Sequence, residues 1–363
     1  MRSLKKVVRK KDVAMYEVPE SKVRTFIVST PETRKLINRP EIVGWEFLSN
    51  LRAGLERVVR SLPTSIPFSR WKDHRICVFH FLRGGLNFSI QEVLYRALGF
   101  KRNTASFMTS QRYRKGKRWS IKLDQYRQVV LPDDSYVFIG DVVATGTTLN
   151  NGLTILREKA LKTGKNLRAL VLFTIGGERA EEILAKHQDD YRKYFDFEDC
   201  YVFYIEGCFG LADEKTNLAI KIPGTDLLRY PALLSPEFEL SQYERLSSIL
   251  ERCIIYDVGA KSFEPMNFLL EIKSYWEELS SADMTLMEAC KERWPEKEYE
   301  NLKALYSVKE EQWKGIGKNF IRKLYRSYKD RWTPGFIKKA QKTGSLESYC
   351  NRRIKEIEKA MNQ

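Results

Sequence analysis

The residues most able to do chemistry lie between Tyr136 and Leu149, reading Tyr-Val-Phe-Ile-Gly-Asp-Val-Val-Ala-Thr-Gly-Thr-Thr-Leu. Tyr136 to Ile139 are apolar and rich in strand formers, which predicts a buried strand. A helix is predicted from about Thr148 to Ala160, with Leu149, Leu153, Ile155 and Leu156 facing inward. An acidic residue, Asp141, and a small flexible loop, Ala144-Thr145-Gly146-Thr147-Thr148, connect the two. The unpaired N–H groups and positive dipole end of a helix start attract a phosphate. Gly146 lets the backbone approach it, and the threonine hydroxyls add donors. A carboxylate at the carboxyl end of a strand can accept from sugar hydroxyls, and ligands of open α/β sheets bind at that end.

A second segment has the same logic. Arg75 to Leu82 is short, apolar and strand-like, and it runs into Arg83-Gly84-Gly85. Between the two segments, residues 101–128 carry Lys101, Arg102, Arg112, Arg114, Lys115, Lys117, Arg118, Lys122 and Arg127 against Asp124 alone. This predicts a long basic loop or hairpin. Its plain reading is a solvated charged hairpin.

Taken together, these residues resemble the type I phosphoribosyltransferase family. FIGDVVATGTTL is similar to that family's phosphoribosyl-diphosphate signature, and FHFLRGGLNF looks like its pyrophosphate loop, most like the form in uracil phosphoribosyltransferases. The resemblance covers about residues 30–235. It implies that Asp141 holds the ribose hydroxyls and is the catalytic acidic residue, and that Ala144, Thr145, Gly146, Thr147 and Thr148 cradle the 5-phosphate. It places the diphosphate on the backbone of Arg83, Gly84 and Gly85, and it makes Arg112, Arg114, Lys115 and Lys117 candidates for a mobile hood. Ile222-Pro223-Gly224-Thr225-Asp226 resembles the base-binding loop of uracil phosphoribosyltransferases. Gly140 departs from the pattern, because the family usually has its first acidic residue there. The implied ligand is phosphoribosyl diphosphate or a nucleotide, with Mg²⁺ carried by the diphosphate and no dedicated protein metal ligands.

The surrounding elements must position these loops. A helix is predicted over 41–61, and residues 88–98 have a helical pattern ending at Gly99. Further strands are predicted at Leu167–Ile175 and Tyr201–Ile205. Strands alternating with helices indicate an α/β fold, a mostly parallel sheet flanked by helices. After about residue 235 the texture turns helical and basic. The expected domains are a basic N-terminal arm over 1–30, a phosphoribosyltransferase-like domain over 31–238, and a mainly helical basic domain over 239–363.

Composition narrows the partners. The 363 residues carry a formal charge of +16, a field that draws polyanions. In the C-terminal stretch Trp313, Phe320, Tyr325, Tyr328, Trp332 and Phe336 interleave with lysines and arginines, which suits nucleic-acid contact. The alternative is a helix pair with aromatics in the core and wet charges outside. Six scattered cysteines are expected reduced and buried, and His80, in an apolar strand, is expected as a core histidine. No run of about 18 apolar residues is present, so no membrane contact is expected. The N-terminus has no secretory pattern, and the expected compartment is the cytoplasm. Two functions follow: a glycosyltransferase acting at the anomeric carbon of a phosphoribosyl ligand, by nucleobase or nucleotide transfer or by hydrolysis; or a nucleic-acid-bound regulatory or antiviral-defence effector within a larger complex, using the fold to sense or act on nucleotides.

Overall fold

The structure, a computed structural model, describes residues 2–109, 126–253, 255–293, 312–313, 316–319, 321–322, 342 and 344–363, with backbone alone at 111–115, 118–123 and 243. Its centre is a ten-stranded sheet. The strands are β1 (Lys5–Lys10), β2 (Val13–Glu17), β3 (Arg24–Ser29), β4 (Ile76–Leu82), β5 (Thr104–Thr109), β8 (Arg127–Gln128), β9 (Ser135–Val143), β10 (Leu167–Gly177), β11 (Asp199–Leu211) and β12 (Leu227–Leu234). They run in the order β1-β2-β3-β11-β10-β9-β4-β5-β8, with β12 on β11. Every neighbouring pair from β3 to β5 is parallel. β6 (Gln111–Lys115) and β7 (Arg118–Leu123) form a separate antiparallel hairpin.

Strand alternation divides the core in two. Val78, Phe138, Val171 and Phe203 face α1 (Pro31–Asn38), α2 (Gly44–Arg60) and α3 (Ile90–Leu98), through Leu36, Phe47, Leu51, Leu55 and Val93. Phe79, Val137, Ile139, Leu172 and Val202 face α4 (Thr147–Thr163) and α5 (Arg179–Tyr191), through Leu149, Leu153, Leu156 and Leu184. The central strands, covered on both faces, are buried almost throughout, as parallel strands should be. All six cysteines are free and buried. No described helix is long and apolar enough to cross a membrane.

From Pro236 onward the described elements are helical: α6 (Pro236–Ser241), α7 (Leu246–Leu250), α8 (Val258–Phe263), α9 (Pro265–Ser280), α10 (Leu286–Arg293) and α11 (Leu346–Met361). They share a third core of Ile249, Phe268, Tyr275, Trp276, Leu279, Cys350 and Ile357.

Three expectations need correction. The segment over 1–30 is no arm outside the fold, because residues 5–29 form β1, β2 and β3. In β2 and β3, Met15, Phe26 and Val28 fill one core while Ala14, Tyr16 and Ile27 fill the other, so two-sided burial holds these strands in the sheet. Half of the segment's lysines and arginines, Lys5, Lys6, Arg9 and Lys10, sit on edge strand β1. The front of 101–128 is not loop either. β5 pairs in parallel with β4 and buries Ser106 and Met108, leaving the hairpin to 111–123. Trp313 is buried with Ile316 and Ile321 in the core beneath α4 and α5, so it cannot stack on a base. Phe320, Tyr325, Tyr328, Trp332 and Phe336 lie outside the described residues.

One buried acid gives the fold a pH dependence. Glu206 lies wholly inside, at a positive φ of 67°. Thr30 N donates to its carboxylate at 3.1 Å and Ser235 Oγ at 3.2 Å, and the Thr33 hydroxyl donates as well. Burial outweighs these donors and Arg34, and pushes its pKa up to about 7. The unfolded carboxyl releases its proton near 4.5, while the folded one keeps it until about 7. Stability therefore falls as pH rises through that window, by about 3 kcal/mol for this group. Glu206→Gln should flatten that fall, measured by denaturant unfolding at both ends of the window. An unchanged slope would contradict this role for Glu206.

Candidate functional site

The pairing of β4 with β9 builds the site. Ile76, Cys77 and Val78 run beside Tyr136, Val137 and Phe138, so the carboxyl ends of both strands emerge together. Asp141 lies near the carboxyl end of β9, half-buried. Gly146 follows at φ 74°, a left-handed conformation that favours glycine, and a Cβ there would fall 2.2 Å from Ile183 Cδ1, which would have to turn aside. α4 then begins, with Asn150 N donating to Gly146 O at 2.8 Å. No side chain caps its N-terminus. The Thr145 and Thr147 hydroxyls lie 3.1 Å apart. Asp141, Ala144, Gly146, Thr147 and Thr148 line one cavity of about 630 Å³.

Arg83 and Gly84 form the facing wall. The Leu82–Arg83 peptide is cis. A Cβ on Gly84 would sit 3.2 Å from Asp141 Oδ1, and one on Gly85 would sit 2.9 Å from Gly140 O. At Gly85 the loops therefore meet backbone to backbone, which favours glycine there, while Gly84 lies close against the Asp141 side chain. The Arg83 side chain pairs with Glu264 at the start of α9, so what the loop offers the cavity is mainly its main chain. Asn87, fully buried, fixes the loop in place. Its Nδ2 donates to Gly84 O at 3.1 Å and to Val258 O at 2.7 Å, and its Oδ1 accepts from Ser262. Asn87→Ala should cost about 2–3 kcal/mol, since the buried Val258 carbonyl and two partly buried partners, Gly84 O and Ser262, lose their bond. Denaturant midpoints within error of wild type would show that α8 does not depend on it.

Gly140 has a local cause. A Cβ there would fall 2.4 Å from Phe88 Cβ and 2.5 Å from its Cγ. Phe88, fully buried, fills the space an acidic side chain would need.

The third wall comes from segments far apart in sequence: Ile222, Thr225, Arg252, Ile255, Tyr256, Asp257, Val258, Gly259 and Glu271. Thus Ile222 and Thr225 of the 222–226 segment join the cavity. Asp226, fully buried, sits 3.0 Å from Arg252 Nε and accepts from Ile222 N at 2.8 Å. Burial raises the Asp226 pKa, against the pull of Arg252. Arg252 also lies 3.4 Å from Glu271, and its guanidinium is 4.7 Å from the Tyr256 ring. Asp257 is spent on capping α8 through Gly259 N and Ala260 N. Apart from the 222–226 segment, sequence reasoning misses this wall, because no local pattern joins residues 226, 252 and 271.

The remaining predicted residues are placed as follows. Thr109, at the end of β5, lines the cavity, so the basic hairpin springs from its rim. Arg112, Arg114 and Lys115 lie on β6, of whose side chains nothing is described, and Lys117 lies outside the described residues. His80 stacks on Phe107 at 5.1 Å, and burial lowers its pKa, which makes it a neutral core histidine. Among the described residues no cluster of His, Cys, Asp and Glu stands ready to hold a metal. The loop donors are one carboxylate, hydroxyls and main chain, a set suited to a cation that a ligand's own phosphates carry.

The chain matches no protein-family profile and no curated relative. Among solved structures it is similar to the AQ2163 protein from Aquifex aeolicus, at 16% identity over 51% of this chain and 89% of that one, with a TM-score of 0.33. It is also similar to a hypoxanthine-guanine phosphoribosyltransferase from Bacillus anthracis, at 13% identity over 44% of this chain and 78% of that one, with a TM-score of 0.26. A purine phosphoribosyltransferase from Pyrococcus horikoshii is 18% identical over 45% of this chain and 88% of that one, with a TM-score of 0.25.

Proposed function

We propose that this cavity binds a phosphoribosyl ligand and that the chain acts at its anomeric carbon, as a phosphoribosyltransferase-type enzyme. The supporting observation is convergence: Asp141, then Ala144, Gly146, Thr147 and Thr148 at the uncapped start of α4, and Arg83 and Gly84 of the facing loop all line one cavity, with Thr145 and Gly85 beside it in the same loops. The helix start and hydroxyls hold the 5-phosphate. Asp141 accepts from ribose hydroxyls. The main chain of Arg83, Gly84 and Gly85 holds the diphosphate. The bond from the anomeric carbon to the diphosphate oxygen breaks, with its electron pair leaving on the diphosphate. A ring nitrogen of the base then gives its lone pair to that carbon, and its N–H proton passes to the departing diphosphate or to water. Asp141 stabilises the positive charge that develops on the ribose, and the bound loops fix the geometry. Mg²⁺ carried by the diphosphate would neutralise charge on the leaving group, with Asp141 the one carboxylate of the loop that would face it. Arg112, Arg114, Lys115 and Lys117 would close over that group.

The test is diphosphate release from phosphoribosyl diphosphate, with Mg²⁺ and a panel of nucleobases or water as acceptor. Release that survives Asp141→Ala unchanged would remove the proposal.

A second reading, compatible with the first, is a nucleic-acid-bound regulatory or antiviral-defence effector. It is favoured by the charge of +16 and by the exposed Lys5, Lys6, Lys10 and Lys11 along and just beyond β1. Affinity for nucleic acid falling steeply with salt is expected from phosphate contacts. No binding at low salt would remove this reading.

A further inference from the structure

Phosphates attract cations, yet the cations that line the cavity already have partners. Among the described lining residues they are Arg83 and Arg252. Arg252 is 9% exposed and lies between Asp226 and Glu271. Arg83 is paired with Glu264, on the C-terminal helices. We propose that Glu264 is an autoinhibitory counter-charge: it holds the Arg83 guanidinium against the helical unit, and a ligand bearing a diphosphate displaces it. This rests on the phosphoribosyl reading above and goes beyond it by giving the C-terminal helices control of the site.

The position of Glu264 is fixed from several sides. It joins α8 to α9: its N donates to Ala260 O at 2.8 Å, and its O accepts from Phe268 N at 3.1 Å. Asn267 Nδ2 donates to its Oε2 at 3.1 Å, which leaves Oε1 to Arg83. The bonds from Arg83 and Asn267 hold the Glu264 carboxyl below its ordinary range, so it is charged at neutral pH. α8 is anchored in turn. Lys261, buried, donates from Nζ to Pro40 O at 2.8 Å and stands over the Phe47 and Phe268 rings at 5.1 and 4.7 Å. A Cβ on Gly259 would stand 3.7 Å from Arg83 Cβ and Nε, so the arginine lies along the start of α8.

Magnitude decides which cation a ligand can free. Releasing Arg252 would strand Asp226, fully buried, as an uncompensated charge. The Arg83 and Glu264 side chains are 51% and 40% exposed, and an exposed ion pair is weak. Water can take up either partner. A diphosphate offers the guanidinium several charged oxygens in place of one, in the two-pronged geometry that arginine fits best.

The experiment is calorimetric titration of the full chain with phosphoribosyl diphosphate and Mg²⁺, and with ribose 5-phosphate, which lacks the diphosphate. The proteins are wild type, Glu264→Gln, Arg83→Gln and the double variant, each checked for folding by circular dichroism. Glu264→Gln should tighten phosphoribosyl diphosphate about three- to five-fold, the upper range for releasing an exposed ion pair. Ribose 5-phosphate should stay within about two-fold of wild type. The double variant should bind phosphoribosyl diphosphate no more tightly than Arg83→Gln does, because the gain passes through the freed guanidinium. A gain that survives in the Arg83→Gln background would reduce Glu264 to one negative charge among others and overturn the proposal. So would an unchanged or weaker affinity for phosphoribosyl diphosphate in Glu264→Gln. If ribose 5-phosphate still binds in those cases, the sugar-phosphate reading stands. If neither ligand binds any of the folded proteins, both fall.

Discussion

Replacing Asp141 by alanine should lower affinity for phosphoribosyl diphosphate at least about 100-fold, with stability changed by less than about 1 kcal/mol. The first figure comes from hydrogen bonds to a charged group. Each contributes about 1.5–3 kcal/mol, and a ribose with adjacent hydroxyls makes two. Turnover should fall further than binding, because the carboxylate also faces charge that appears only in the transition state. The second figure follows from position. Asp141 lies half-buried near the carboxyl end of β9, at the cavity, while the strand's core contacts are made by Val137, Phe138 and Ile139. Calorimetry and thermal unfolding on the same sample separate the two effects. A variant that binds as the wild type does would move the ribose elsewhere.

Gly140→Asp should destabilise the fold by about 3 kcal/mol or more, through overpacking together with a buried charge that lacks a partner. The Cβ alone would stand 2.4 Å from Phe88, whose ring is wholly enclosed. This is a sharp expectation because the change restores the acidic residue usual in the family that the motif resembles. In this chain the restoration should fail. Phe88→Ala alone should also cost about 3–5 kcal/mol, by opening a cavity. The double variant should cost less than the two combined, because each change relieves the other. Denaturant unfolding of the set tests this. Wild-type stability for Gly140→Asp would mean that Phe88 moves aside easily, and the single-carboxylate site would lose its physical explanation.

Much of the site was legible in the sequence because it is local. Strand, acidic residue, Gly146 and helix start follow one another within Tyr136–Leu149, and each reports its own requirement. β4 was legible for the same reason, as an apolar run ending in Gly84-Gly85. What was missed depends on contacts across long separations. Phe88 meets Gly140 only because β4 pairs with β9. Arg252, Asp226 and Glu271 meet only because α7, α9 and the 222–226 loop fold against one another, and no period in the sequence marks them. β1 to β3 were hidden for another reason. Their lysines and arginines suggested a solvated arm, while the alternation of Ala14, Met15 and Tyr16 between two cores is short and lacks polar spacers, as in other strands buried on both faces.

The central claim is that the cavity between Asp141, the 144–148 loop and the 83–85 loop holds a phosphoribosyl group. Isothermal titration of the full chain with phosphoribosyl diphosphate and Mg²⁺ tests it most directly. The account predicts saturable binding in the micromolar range that disappears in Asp141→Ala. A folded wild-type protein that gives no binding signal would contradict it.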